Sequence, residues 1–182
     1  MGFFSSINIL AKGSPETLKN CNEQKKLEDF DCKRASNVMA IIRVGLIGLT
    51  PAQEFASTRS WTALGHLPSL LQSPSYEIVA LANSSVESAK RSIEAHNLPS
   101  TTKAYGSPED IANDPEVDLI VVSVRVQKHY ELIKPALLKN KKVFVEWPLG
   151  ANLNEVEELT QLANSHGVQN AVGLQARSSP LM

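Results

Sequence analysis

The chain has 182 residues, 42% of them hydrophobic, which is enough for one domain with a full core and little more. Its 18 basic and 19 acidic residues leave a formal net charge of -1, a balance that excludes broad electrostatic attachment to nucleic acid or to anionic membrane surfaces. No apolar run is long enough to span a bilayer.

Residues 1–38 are polar and mixed in charge, without sustained periodicity, and read as a flexible N-terminal extension. The opening Met1-Gly2-Phe3-Phe4 has no basic segment before it and is broken by Ser5 and Ser6, so it does not make a signal peptide, although Gly2 and Ser6 fit the loose N-myristoylation pattern. Cys21 and Cys32 stand apart, with no CxxC pair and no histidine cluster. They give no metal site and point to a reducing compartment, the cytoplasm or the nucleus. Met39 stands directly before the first strand pattern, which starts a domain over residues 39–176.

From Ala40 the pattern alternates. Val- and Ile-rich apolar runs predict buried strands at 41–49, 77–82, 117–124, 142–145 and 169–174, with a shorter one at 102–105. Helical patterns fill the gaps at 60–72, 86–96, 107–112, 128–139 and 154–166. Ser107-Pro108-Glu109-Asp110 supplies an N-cap, a first-turn proline and two acids. Asn152 to Glu155 opens the last helix in a similar way, and Gly167 ends it. Strands apolar on both faces, alternating with helices, predict a doubly wound parallel sheet, a Rossmann-type α/β fold.

Such a fold holds a dinucleotide at the carboxyl ends of its strands. The first strand ends Gly45-Leu46-Ile47-Gly48-Leu49-Thr50. Gly48 stands where a tight turn must let the backbone approach a pyrophosphate, and Thr50 occupies the next expected glycine, leaving the G-x-G-x-x-G fingerprint incomplete. A packing glycine in an ordinary strand-to-helix turn is the competing reading of Gly48. After the second strand, Asn83, Ser84 and Ser85 replace the acid that holds an unphosphorylated ribose. They are compatible with a 2′-phosphate, with Lys90 or Arg91 assisting, which favours NADP over NAD. The alternative is that Ser84 or Ser85 caps the following helix. Arg125, Gln127 and His129 follow the fourth strand, placed to meet ribose or phosphate, and a structural histidine is the alternative for His129. His66 reads as packing beneath the first helix, and His96 and His166 as histidines at helix ends.

These features resemble the glucose-fructose oxidoreductase, inositol dehydrogenase and rhizopine-catabolism family, Gfo/Idh/MocA. The resemblance runs over about residues 41–180. It rests on Val44 to Gly48, Ser123 to Glu131, Val143 to Leu149 and Gly173 to Arg177. Ser60-Trp61-Thr62 to Pro68, Val145-Glu146-Trp147 and Leu174 to Pro180 resemble a fungal branch that includes the repressor of the galactose-pathway transcription activator. The resemblance implies NAD or NADP as cofactor. It implies a nucleotide site over Gly48, Leu49, Thr50, Trp61, Asn83, Ser84, Arg125, Gln127, His129, Glu146, Trp147 and Pro148, with a cis bond before Pro148. It also implies a protein partner that regulates transcription, a homodimer in the full-length family, and a second domain of which residues 177–182 are the truncated start. Where the family's dehydrogenases carry Glu-Lys-Pro, this chain has Glu146-Trp147-Pro148. An indole cannot exchange a proton as an amine does, so the resemblance implies a regulatory or catalytically impaired nucleotide-binding protein and leaves no catalytic residue to name. The alternative is a dehydrogenase of sugar-like substrates, represented by its nucleotide-binding half. Trp147 either stacks on a nicotinamide or ribose or packs in a core or domain interface.

Overall fold

The structure, a computed structural model, describes residues 40–51 and 61–174. The extension over 1–38, both cysteines and residues 177–182 lie outside the described residues, as does most of the loop after Pro51.

Six strands form one all-parallel sheet: β1 (Ile42–Ile47), β2 (Tyr76–Ala82), β3 (Lys103–Tyr105), β4 (Leu119–Val122), β5 (Lys142–Glu146) and β6 (Asn170–Gly173), in the order β3-β2-β1-β4-β5-β6. The connecting helices are α1 (Leu67–Gln72), entered through a π-helical turn at Thr62–His66, then α2 (Val86–Ala95), α3 (Pro108–Asn113), α4 (His129–Leu138), entered through a 3₁₀ turn at Val126–Lys128, and α5 (Leu153–Ser165). The chain builds outward from β1 to β3, returns to lay β4 against the free side of β1, and builds outward again. The crevice between the carboxyl ends of β1 and β4 is the place where this topology receives ligands.

The strands form where the sequence predicts them because their side chains are buried on both faces. Val44, Leu46, Ile120, Val121 and Val122 are inaccessible to solvent. Ile111, Ile133, Leu137, Leu159 and Ala163 bring α3, α4 and α5 onto one face of the sheet. Three helices start on the predicted side-chain caps. Ser85 Oγ accepts from Ser88 N, Ser107 Oγ from Asp110 N, and Asn152 Oδ1 from Glu155 N, each at 3.1 Å. Glu155 reaches back to Ala151 N at 2.8 Å, and Gly167 ends α5 with φ +61°. No helix among the described residues is long and apolar enough to cross a membrane.

The amino edge of the sheet is held by charge. Arg43 grips Asp118 through Nε and Nη2, both at 2.9 Å. Asp114 receives Lys103 Nζ on both oxygens at 3.1 Å, the Tyr105 hydroxyl at 2.9 Å and Glu116 N–H at 2.9 Å. The Arg43 hydrogen bond holds the Asp118 carboxyl below the usual carboxylate range. Burial pushes Asp114 up, but the Glu116 N–H, Lys103 and Tyr105 together bring it below that range. Both carboxyls therefore lose protons more readily in the folded chain than in the unfolded one. Their stabilisation is complete above the unfolded aspartate value of about 4 and falls away as the pH drops below it. Urea midpoints measured from pH 7 to pH 3 are expected to fall on that acid limb, and Asp114→Asn or Asp118→Asn is expected to flatten it.

Candidate functional site

The carboxyl ends of β1, β2, β4 and β5 carry Gly48, Asn83, Ser123 and Glu146. Gly48 has φ +98°, and a Cβ built on it would lie 2.4 Å from both the Ser123 carbonyl oxygen and Val124 Cγ1. Backbone conformation and space both demand glycine there. The close approach of β1 to β4 here is common to the packing reading and the turn reading of Gly48.

The turn that follows is held by its carbonyls. Thr62 Oγ1 lies 3.1 Å from the Gly48 carbonyl oxygen. The Leu49 carbonyl accepts from Ser92 Oγ at 2.7 Å and from Asn83 Nδ2 at 2.9 Å. His96 Nε2 donates to the Thr50 carbonyl at 2.8 Å. Leu49 is fully buried, main chain included. Thr50 Oγ1 is shut off from solvent without a hydrogen-bond partner. Such an orphaned hydroxyl costs about 1–3 kcal/mol until an acceptor reaches it.

A second cluster joins α1 to β4 and β5. Thr62 and His66, four residues apart on the π-helical turn, both face inward and are 1% and 7% exposed. Thr62 Oγ1 lies 2.6 Å from Ser123 Oγ, which in turn donates to Glu146 Oε1 at 2.6 Å. His66 Nε2 reaches the same Glu146 oxygen at 2.8 Å. A carboxylate only accepts, so Nε2 carries the hydrogen. The His66 ring meets the edge of Phe144, with centroids 5.4 Å apart. Glu146 is thus held from two elements at once, through one oxygen.

The remaining candidates divide by exposure. Trp147 is 65% exposed, which removes the core reading for it among the described residues. Its N–H donates to the Gly173 carbonyl at 3.2 Å, and its bond to the exposed Pro148 is cis. Ser84, Arg125 and Gln127 are exposed at the strand mouths, and Trp61 is 41% exposed at the start of α1. Asn83 turns its amide inward to Leu49, and Ser85 is used as the α2 cap. His129 is 1% exposed, with Nδ1 2.9 Å from the Pro148 carbonyl and Nε2 3.0 Å from the Val124 carbonyl. It ties the loop after β4 to the loop after β5, with a main-chain carbonyl facing each ring nitrogen.

Sequence reasoning missed Thr62, Ser123 and His66 as a joined set, and Ser92 and His96 as partners of the first turn. A signal for the first set was present. Thr62 and His66 interrupt an inward stripe completed by Leu67 and Leu70, and buried polar residues need partners.

The profile of the Gfo/Idh/MocA oxidoreductase family, NAD-binding Rossmann fold, matches residues 42–174. The dehydrogenase aclE of Aspergillus oryzae is 40% identical over 142 residues, covering 76% of this chain and 37% of its own length. The galactose/lactose metabolism regulatory protein GAL80 of Saccharomyces cerevisiae is 35% identical over 163 residues, covering 83% of this chain and 36% of its own. A crystal structure of a super-repressor mutant of Gal80p from the same yeast superposes with a TM-score of 0.67 at 34% identity, over 78% of this chain and 36% of that one. KijD10, a 3-ketoreductase from Actinomadura kijaniata in complex with NADP, superposes with a TM-score of 0.64 at 25% identity, over 78% and 41% of the two chains. The chain therefore spans just over a third of the length of the curated relatives it matches.

Proposed function

The chain belongs to the Gfo/Idh/MocA oxidoreductase family through its NAD-binding Rossmann fold, and we propose that it holds the dinucleotide as a regulatory ligand without turning it over. The observation that carries this reading is the end of β5. The residue after Glu146 is an exposed tryptophan, whose indole N–H is no acid or base near neutral pH, and Glu146 Oε1 is already engaged by His66 and Ser123.

The residues fit a dinucleotide. The glycine-only turn at Gly48 and the orphaned Thr50 hydroxyl suit a pyrophosphate held by the main chain of Gly48 and Thr50. The adenosine half then falls toward β2, where Ser84 stands exposed, no acid follows the strand, and Lys90 and Arg91 are exposed on α2. That chemistry favours NADP over NAD. The other half falls toward β4 and β5, with Arg125, Gln127, Glu146, Trp147 and Pro148 around it. When bound, the cofactor supplies a hydride acceptor or donor. The protein's own contribution is binding and orientation, with the Trp147 ring as a stacking surface.

The relative named as a galactose/lactose regulatory protein supports a regulatory role. On this reading the partner is another protein that controls transcription, the full-length form is a homodimer, and the protein works in cytoplasm or nucleus. A second reading, a dehydrogenase of sugar-like substrates, is favoured by the His66–Glu146 pair, which is able to pass a proton at the same edge, and by the likeness to aclE.

Calorimetric titration with NAD, NADH, NADP and NADPH tests the binding. Saturable binding with NADP preferred over NAD is expected, and absence of binding by all four sinks the reading. Appearance of reduced nicotinamide with NAD or NADP and a panel of sugars would move the protein to the second reading. Trp147→Ala is expected to leave the thermal midpoint unchanged, because the side chain is exposed, and to weaken dinucleotide binding by up to about tenfold. Calorimetric titration of the variant checks the affinity, and quenching of Trp147 fluorescence on titration of the single Trp61→Phe variant checks the stacking.

A further inference from the structure

Two consecutive carbonyls in the first turn are each held by side chains from outside it: Leu49 by Ser92 and Asn83, Thr50 by His96. A trans peptide points its N–H opposite to its C=O. Fixing the Leu49 carbonyl therefore fixes the direction of the Thr50 N–H group. Among the described residues this N–H has no acceptor. The next residue, Pro51, has no N–H to offer. Where the fingerprint's second glycine normally lets the backbone reach a pyrophosphate, this chain has Thr50, whose hydroxyl is itself without a partner.

We propose that His96, with Ser92 and Asn83, positions this turn, aiming the Thr50 N–H group and the Thr50 hydroxyl at the pyrophosphate of the dinucleotide. The inference rests on the dinucleotide reading above and deepens it. Most Rossmann turns get their geometry from glycines. Here the geometry comes from the helix after β2: Ser92 and His96, four residues apart, each take one turn carbonyl, and Asn83 at the mouth of β2 takes a second share of the Leu49 carbonyl. His96 is the member to test, since it lies at the end of α2, is half-buried and holds the residue that replaces the glycine. It touches no ligand on this reading and acts through Thr50.

The test measures dissociation constants of NADP, ADP-ribose and nicotinamide mononucleotide for wild type, His96→Ala and His96→Gln, with folding checked by circular dichroism and thermal unfolding. His96→Ala is expected to weaken NADP and ADP-ribose by a similar factor, about five- to tenfold, and to leave the mononucleotide unchanged. His96→Gln, which keeps an N–H near the Nε2 position, is expected to restore both to within about twofold. Equal affinities for wild type and a folded His96→Ala overturn the proposal while the dinucleotide reading stands. Equal loss for all three ligands, or no rescue by glutamine, overturns it as well, because either marks a general disturbance of the fold. Failure of wild type to bind NADP or ADP-ribose overturns the reading beneath it.

Discussion

Gly48→Val is expected to lower the unfolding free energy by about 3–5 kcal/mol and to abolish dinucleotide binding in whatever fraction remains folded. Two costs combine. The residue sits at φ +98°, where a β-branched side chain is strained. Its Cβ would also lie 2.4 Å from the Ser123 carbonyl oxygen, a main-chain atom of the adjacent strand end that cannot swing aside as a side-chain tip can. Relief requires β1 and β4 to separate at their carboxyl ends, which opens the crevice and displaces the Gly48 carbonyl from Thr62. Urea denaturation gives the stability loss through the shift in midpoint at constant slope, and calorimetry with NADP gives the binding loss. A variant that unfolds like wild type would show that the turn is less constrained than its geometry requires.

Glu146→Ala is expected to cost about 2–4 kcal/mol, since it removes the acceptor shared by two buried donors, His66 and Ser123. Glu146→Gln keeps an oxygen in place and is expected to lose under about 1 kcal/mol in the same denaturation experiment. The pair separates two roles. If the carboxylate charge serves the ligand, Glu146→Gln binds NADP more weakly despite near-normal stability. If it only anchors α1 to β5, the glutamine variant binds as wild type does.

The fold was legible because local rules and burial agree. Val44, Leu46, Ile120 and Val122 mark strands covered on both faces, and Ser107, Asn152 and Gly167 mark helix ends by side-chain chemistry that acts within four residues. The candidate site was legible in position more than in contact. Gly48 and Glu146 stand at strand ends, where the topology points. The partners of those residues come from far along the chain. His66 meets Glu146 across 80 residues, Thr62 meets Ser123 across 61, and His96 meets Thr50 across 46. Hydrophobic periodicity tells which face of a helix turns inward, but not which strand end waits there. Asn83 and His129 show the same limit. Each stands where a ligand residue belongs, yet Asn83 spends its amide on Leu49, and His129 is buried between the carbonyls of Val124 and Pro148.

Position 147 contributes its N–H to Gly173 and sends its side chain into solvent, so the sheet takes from it only what any residue other than proline provides. Lysine and tryptophan are interchangeable there as far as the framework is concerned. Substitutions at this position are therefore expected to be silent in folding and expression, leaving ligand binding alone to register them.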